Sequence, residues 1–171
     1  MTVLTRAMRH LVITRDLGRC VRCGLYVCDP ETFTPRHQFS LQHRRARGAG
    51  GSKDPVTNSP VNLIVLCGTG TTECHGWVES HRVKAQRLGF AVAQWQDPEL
   101  VPVQHWLHGP AFVTAGGWVP IGVGTEGLRV AAAHLRAVCV ARGIPVAPED
   151  ESYVRLSVAL FDAVRELVEV Q

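Results

Sequence analysis

The sequence predicts a small α+β fold stapled by a metal ion, and three observations carry that expectation. Between residues 39 and 88 the hydrophobic pattern runs strand, loop, strand, helix. Two cysteine pairs, Cys20 with Cys23 and Cys67 with Cys74, flank the two strands. Beyond residue 90 the pattern changes to short strands punctuated by glycine and proline, and then to amphipathic helices. A chain of 171 residues that is 46% hydrophobic can fill a core, which excludes disorder as a description of the whole. No run approaches the roughly 18 apolar residues of a membrane span. The N-terminus lacks the charged head, apolar run and cleavage site of a signal peptide. The expectation is a cytoplasmic protein with no membrane partner.

The elements follow in order. Residues 6–16 place Met8, Leu11 and Val12 near one helical face and predict a short leading helix. Gly18-Arg-Cys20-Val-Arg-Cys23-Gly24 is a tight turn. Phe39 and Leu41 alternate with Ser40 and Gln42, a strand that arrives at His43. Arg47 to Pro55 is a polar, glycine-rich loop long enough to be functional. Val61 to Leu66 reads as a buried strand that Asn62 opens. From His75 to Leu88 the apolar spacing is helical, with Gly89 as the stop. After residue 90, short strands form a hairpin around Gly116-Gly117. Helices are expected over 126–142, with Leu135 and Val138 on the apolar stripe, and over 150–170. The expected division is 1–95, then a strand-rich segment 96–124 packed on it, then a two-helix extension 125–171.

The cysteines predict a structural zinc site. Cys20 and Cys23 form one C-x-x-C knuckle, and Cys67 and Cys74 supply a second, wider pair whose glycines let the sulfurs fold back together. Four thiolates about 2.3 Å from the ion make a closed tetrahedral site without catalytic function. Two short strands and a helix bury too little to be stable alone, and zinc supplies folding free energy on the order of 10 kcal/mol. Cys28 and Cys139 fit no pair and are expected as small core residues.

Charge is divided unevenly. Residues 1–90 carry 13 Lys and Arg against 6 Asp and Glu, a net +7, whereas residues 91–171 carry 5 against 9, a net −4. A same-sign excess around the motifs suits a polyanionic partner. Arg44, Arg45, Arg47 and Lys53 surround the glycine-rich loop and are the expected phosphate contacts, giving salt-dependent affinity with little base readout.

Leu41-Gln42-His43-Arg44-Arg45, Asn62 at the next strand and Cys74-His75 at the helix resemble the HNH endonuclease family. His43, Asn62 and His75 take the positions of the family's name. Gln42 through Ser52, Asn58 through Leu63 and Cys67 through His81 are similar to the form carried by bacteriophages of actinobacteria, over about residues 10–105. The resemblance implies a treble-clef-like ββα-metal (His-Me finger) nuclease domain. It also implies a second, catalytic divalent metal such as Mg²⁺ or Mn²⁺, DNA as partner, the host cytoplasm as location, and a role beside the phage packaging terminase.

Phosphodiester hydrolysis asks for a base that deprotonates water and a cation that takes up charge. An imidazole with pKa about 6.5 suits the first task, and His43 is the candidate base. In family terms Asn62 either ligates the metal or pins the base-carrying loop, and His75 is the best ligand. Gln42 stands where the family usually has Asp or His, a weaker neutral donor. Glu79, four residues after His75 on one helical face, could add the missing carboxylate. His81 faces elsewhere, and His10, His37, His105, His108 and His134 are expected to be structural or surface residues. The sequence therefore predicts a metal-dependent DNA endonuclease, nicking or cutting both strands. The alternative it leaves open is a zinc-stapled DNA-binding or assembly module without catalysis. It leaves open as well a helical tail that forms a dimer or partner interface.

Overall fold

The computed structural model describes residues 4–48, 54–122 and 124–144. Lys53 and the helix expected over 150–170 lie outside them. The chain forms a small α+β domain with four helices and two small antiparallel sheets among the described residues.

Helix α1 (Arg6–Arg15) starts where Thr5 Oγ1 accepts the Met8 N–H at 3.2 Å, satisfying one orphan donor of the first turn. Strands β1 (Phe39–His43) and β2 (Leu63–Cys67) pair antiparallel, with Phe39 opposite Cys67 and His43 opposite Leu63. All five residues of β2 are buried and both α1 and α2 (Glu73–Ser80) pack on it, which is why it reads as an unbroken apolar run. Asn62 does not open this strand. It ends a short 3₁₀ turn, Pro60–Asn62, just before it.

The helix expected over 75–88 is two helices, α2 and α3 (Arg82–Arg87), and it begins earlier than expected. The break is at His81, with φ −117° and ψ 50°. Beside the break, Ser80 Oγ donates to the Gly76 carbonyl at 2.7 Å and lies 2.9 Å from His81 Nδ1, the kind of side-chain-to-backbone bond that bends helices. Gly89, at φ +73°, ends α3 as expected.

Strands β3 (Val103–His105), β4 (Gly109–Val113) and β5 (Trp118–Pro120) form the second sheet in that order. The β4–β5 turn lies at Gly116-Gly117, closed by Thr114 and Gly117 exchanging bonds at 2.9 and 3.0 Å. Helix α4 (Gly124–Ala141) buries Ala131, Leu135 and Val138, and Ala131 and Leu135 pack with Phe112 and Ile121 in a satellite core. The main core joins Val12, Val21, Leu63 to Leu66, Val78, Ala85 and Phe90, and Val103 and Trp118 reach it from the second sheet. No described helix is long and apolar enough to cross a membrane.

A buried ion pair ties these parts together. Arg15 Nε meets Asp16 Oδ1 at 2.7 Å, and Arg15 also donates to the carbonyls of Pro60 and Leu63, both at 2.6 Å. Asp16 in turn accepts from Val65 N at 2.9 Å and Trp118 Nε1 at 3.2 Å. Every charged atom thus has a partner, the condition under which a buried pair is tolerated. The pair binds α1 to β2 and to the second sheet.

Candidate metal centre and hydrolytic site

The four cysteines come together from three places: the turn after α1, the end of β2 and the first turn of α2. Their sulfurs all lie within 4.8 Å of one another, with Cys20, Cys67 and Cys74 buried and Cys23 exposed. The Cys23–Cys67 separation is 3.8 Å, the edge of a tetrahedron with bonds of about 2.3 Å. The group is therefore placed to hold a structural metal ion. It is the one cluster of three or more Cys, His, Asp or Glu ligand atoms suited to an ion among the described residues. Cys28 and Cys139 stand outside it, the first buried in the core and the second half-buried.

Two left-handed glycines shape the cluster, Gly24 just after the Cys20–Cys23 knuckle and Gly68 inside the wide Cys67–Cys74 spacing. Gly24 and Gly68 both have φ +78°, and a Cβ on Gly68 would lie 2.3 Å from the Thr72 carbonyl oxygen. The chain must turn that tightly for Cys74 to fold back on Cys67. Proton sharing within the cluster is uneven. The hydrogen bond from Cys20 holds Cys74 low, at about 5, with help from Arg22, whose Nη1 donates to Sγ at 3.4 Å. Burial pushes Cys67 up to about 12, and Cys20 is raised, first by its bond to Cys74 and then by burial. A bound cation would take the place of those protons. Arg22 also lies over the Trp77 ring, 4.0 Å from its centroid, so it braces the knuckle against α2. Sequence reasoning missed it.

His43 ends β1 and is half-buried, with Nε2 3.0 Å from Asn58 Oδ1. An oxygen acceptor there puts the proton on Nε2 and leaves the lone pair on Nδ1. Burial lowers its pKa below the usual histidine value, outweighing the Asn58 bond, and Arg47 lowers it further. The ring is thus neutral at neutral pH. Asn58 was not singled out from the sequence; its signal is the double turn Pro55–Asn58 and Pro60–Asn62, which brings position 58 back beside the strand end.

Asn62 is fully buried and clamps the segment after His43. Its Oδ1 accepts the Arg45 N–H at 2.7 Å, and its Nδ2 donates to the carbonyls of Arg45 at 3.0 Å and Thr57 at 2.9 Å. Its amide is thus hydrogen-bonded through both the oxygen and the nitrogen, an arrangement that suits pinning the loop rather than ligating an ion.

On α2, His75 Nε2 is 3.8 Å from Glu79 Oε1, and Gln42 Nε2 donates to that same oxygen at 3.0 Å. The strand and the helix therefore bring Gln42, His75 and Glu79 together. Gln42 is buried, His75 half-buried and Glu79 exposed. His75 Nδ1 is buried and has no hydrogen-bond partner. Burial lowers the His75 pKa against the opposing pull of Glu79, keeping it a neutral, donor-competent imidazole.

The arginine run divides. Arg44 is 0% exposed and cannot reach a phosphate backbone. It donates to the carbonyls of Gly89, Val61, Pro98 and Val101 at 2.6–3.3 Å, serving as an internal brace. The nucleic-acid role expected of it is corrected accordingly. Arg45 is half-buried, paired with Asp54 and 3.4 Å from the Gln96 carbonyl, so its charge is largely met within the chain. Arg47 is exposed. The remaining histidines have local partners: His10 stacks on Phe33, His37 pairs with Glu73, His81 stacks on Trp77, His108 on His105 and His134 on Phe112.

No family model, curated protein or solved structure matches the chain.

Proposed function

We propose that the chain is a metal-dependent endonuclease of the HNH type that hydrolyses phosphodiester bonds of DNA. The observation that carries this reading is the setting of His43: a neutral imidazole at a strand end, oriented by Asn58 and followed by a segment that Asn62 clamps. In this reading His43 Nδ1 takes the proton of the attacking water, and the Asn58 bond keeps the ring in the tautomer that can do so. Asn62 fixes the position of the base. The four cysteines hold zinc as a staple, and the fold is the treble-clef-like ββα-metal arrangement, with β1, β2 and α2 as its parts.

His75, Glu79 and Gln42 are the group that would hold the catalytic cation. The Nε2 of His75, the Glu79 carboxylate 3.8 Å from it and the Gln42 side chain beside that carboxylate are the donor groups that would meet a divalent ion. When bound, such an ion supplies Lewis-acid stabilisation of charge on the phosphate and the leaving oxygen. Arg47 and Lys53 supply phosphate contacts from the loop. A place beside a phage packaging terminase rests on the family resemblance alone.

A second reading, a zinc-stapled DNA-binding or assembly module without catalysis, is favoured by one observation. Gln42 already donates its amide to Glu79 and supplies no charge of its own. Supercoiled plasmid incubated with Mg²⁺ or Mn²⁺ separates the two: metal-dependent nicking or linearisation supports the enzyme. Binding to plasmid without cutting at any metal concentration, with zinc in place, supports the module.

A further inference from the structure

Trp95 is 84% exposed, and among the described residues no ring or cation contacts it. The loop that carries it is held firmly. Gln96 N donates to the Ala93 carbonyl at 3.0 Å, and Ala93 N donates to Gln96 Oε1 at 3.1 Å, closing the turn around the indole. Val92 N donates to the Arg44 carbonyl at 2.7 Å, Gln94 Nε2 to the Ala46 carbonyl at 2.8 Å and Arg45 Nη1 to the Gln96 carbonyl at 3.4 Å. The Trp95 turn is thus bonded to residues 44–46, the segment directly after His43. Exposed Arg47 follows that segment, and the first 90 residues carry a net +7.

We propose that Trp95 is a stacking platform for an unpaired nucleobase of the strand that His43 acts on, with Arg47 meeting the adjoining phosphate. Aromatic faces beside cationic side chains are how single strands are held without sequence preference. The bonds from Val92, Gln94 and Gln96 fix the backbone, so little ordering of the loop has to accompany binding. A single-stranded or frayed end is the substrate such a platform selects, because bases within duplex already stack on one another. This inference rests on the nucleic-acid reading above and adds the class of substrate to it.

The test is fluorescence titration of the full chain, purified with zinc and without other divalent ions, against oligodeoxythymidylate and against duplex of equal length. The unaltered chain is expected to bind the single strand with quenching that Trp95→Phe largely removes. Trp95→Ala is expected to bind it about tenfold or more weakly, while duplex binding changes less than about twofold. Equal affinity of Trp95→Ala and the unaltered chain would overturn the platform and leave the nucleic-acid reading standing. Equal losses on both ligands would overturn the preference for an unpaired base. No binding by the unaltered chain would overturn the platform together with the reading beneath it. So exposed a residue should leave the melting temperature unchanged, and that control excludes misfolding as the cause of any loss.

Discussion

Cys74 and His75 are neighbours on α2, yet they belong to two clusters built in different ways. The four cysteines converge from three elements, with sulfurs within 4.8 Å, left-handed glycines that allow the turns and Arg22 bracing the knuckle. The Gln42, His75 and Glu79 group has one neutral amide, one half-buried imidazole and one exposed carboxylate. The first is complete without anything from outside. The second offers at most three protein donors, so that under the proposed reading water or a phosphate would complete the coordination of an ion there. The contrast is between a closed group of four converging sulfurs and a looser group of mixed donors, and only under the proposed nuclease reading does the second become a catalytic site.

The largest effect should come from the closed cluster. Chelation of its metal, or Cys67→Ser, removes binding free energy on the order of 10 kcal/mol and should abolish the cooperative melt followed by circular dichroism. A chelated chain that melts as before would dissolve the contrast between the two clusters. Next comes the support that needs no metal. Asp16→Ala strands the buried Arg15 and should cost about 3–5 kcal/mol in denaturant titrations run with zinc present; a cost near zero would mean the staple alone holds α1 to β2.

Acid sensitivity separates metal loss from packing loss. His105 is buried, mainly for which reason its pKa falls to about 4, with His108 and Arg15 adding to the shift. Its Nδ1 accepts the N–H groups of Leu107 at 3.1 Å and His108 at 3.3 Å, bonds that favour the neutral ring. The unfolded chain, with pKa about 6.5, binds the proton more readily. Stability is therefore full above about pH 6.5 and is lost as the pH falls towards about 4, by up to roughly 3 kcal/mol. His105→Asn keeps an acceptor near the Nδ1 position and should flatten that slope in pH-dependent melts while leaving the thiolate-linked loss of metal. An unchanged slope would remove His105 from the acid effect and leave it to the cysteines and the half-buried histidines, His43 and His75.

The smallest effect probes the open cluster. Glu79→Gln should raise the Mg²⁺ or Mn²⁺ needed for half-maximal cutting by about tenfold with zinc content and melting temperature unchanged. Full activity at limiting metal would remove Glu79 from the ligand set.

Much of this was legible in the sequence where the signal is local. The amphipathic spacing of residues 6–16, the alternation into His43 and the glycines between Cys67 and Cys74 each encode a short-range structure that the fold retains. What was not legible depends on contacts remote in sequence. Arg44, Arg45 and Arg47 look alike in the chain, yet Arg44 is bonded to carbonyls 17 to 57 residues away. The break at His81, with φ −117° and ψ 50°, has no breaker residue to announce it, only a Ser80 hydroxyl bonded to the Gly76 carbonyl beside it. Asn62 showed a choice of two roles in sequence, and the buried amide geometry favours the pin. Asn58 has only an indirect signal in the sequence, the two proline turns that fold it onto His43.

The central claim is that His43 is the base of a phosphodiester hydrolysis. The most direct test is the cleavage rate of supercoiled plasmid by zinc-loaded chain in Mg²⁺ or Mn²⁺, unaltered against His43→Ala. The account predicts metal-dependent cutting that falls by about 10²- to 10⁴-fold in the variant, with zinc content and melt preserved. Cutting of the same rate by His43→Ala, or no cutting by the folded, zinc-loaded unaltered chain at any metal concentration, would contradict it.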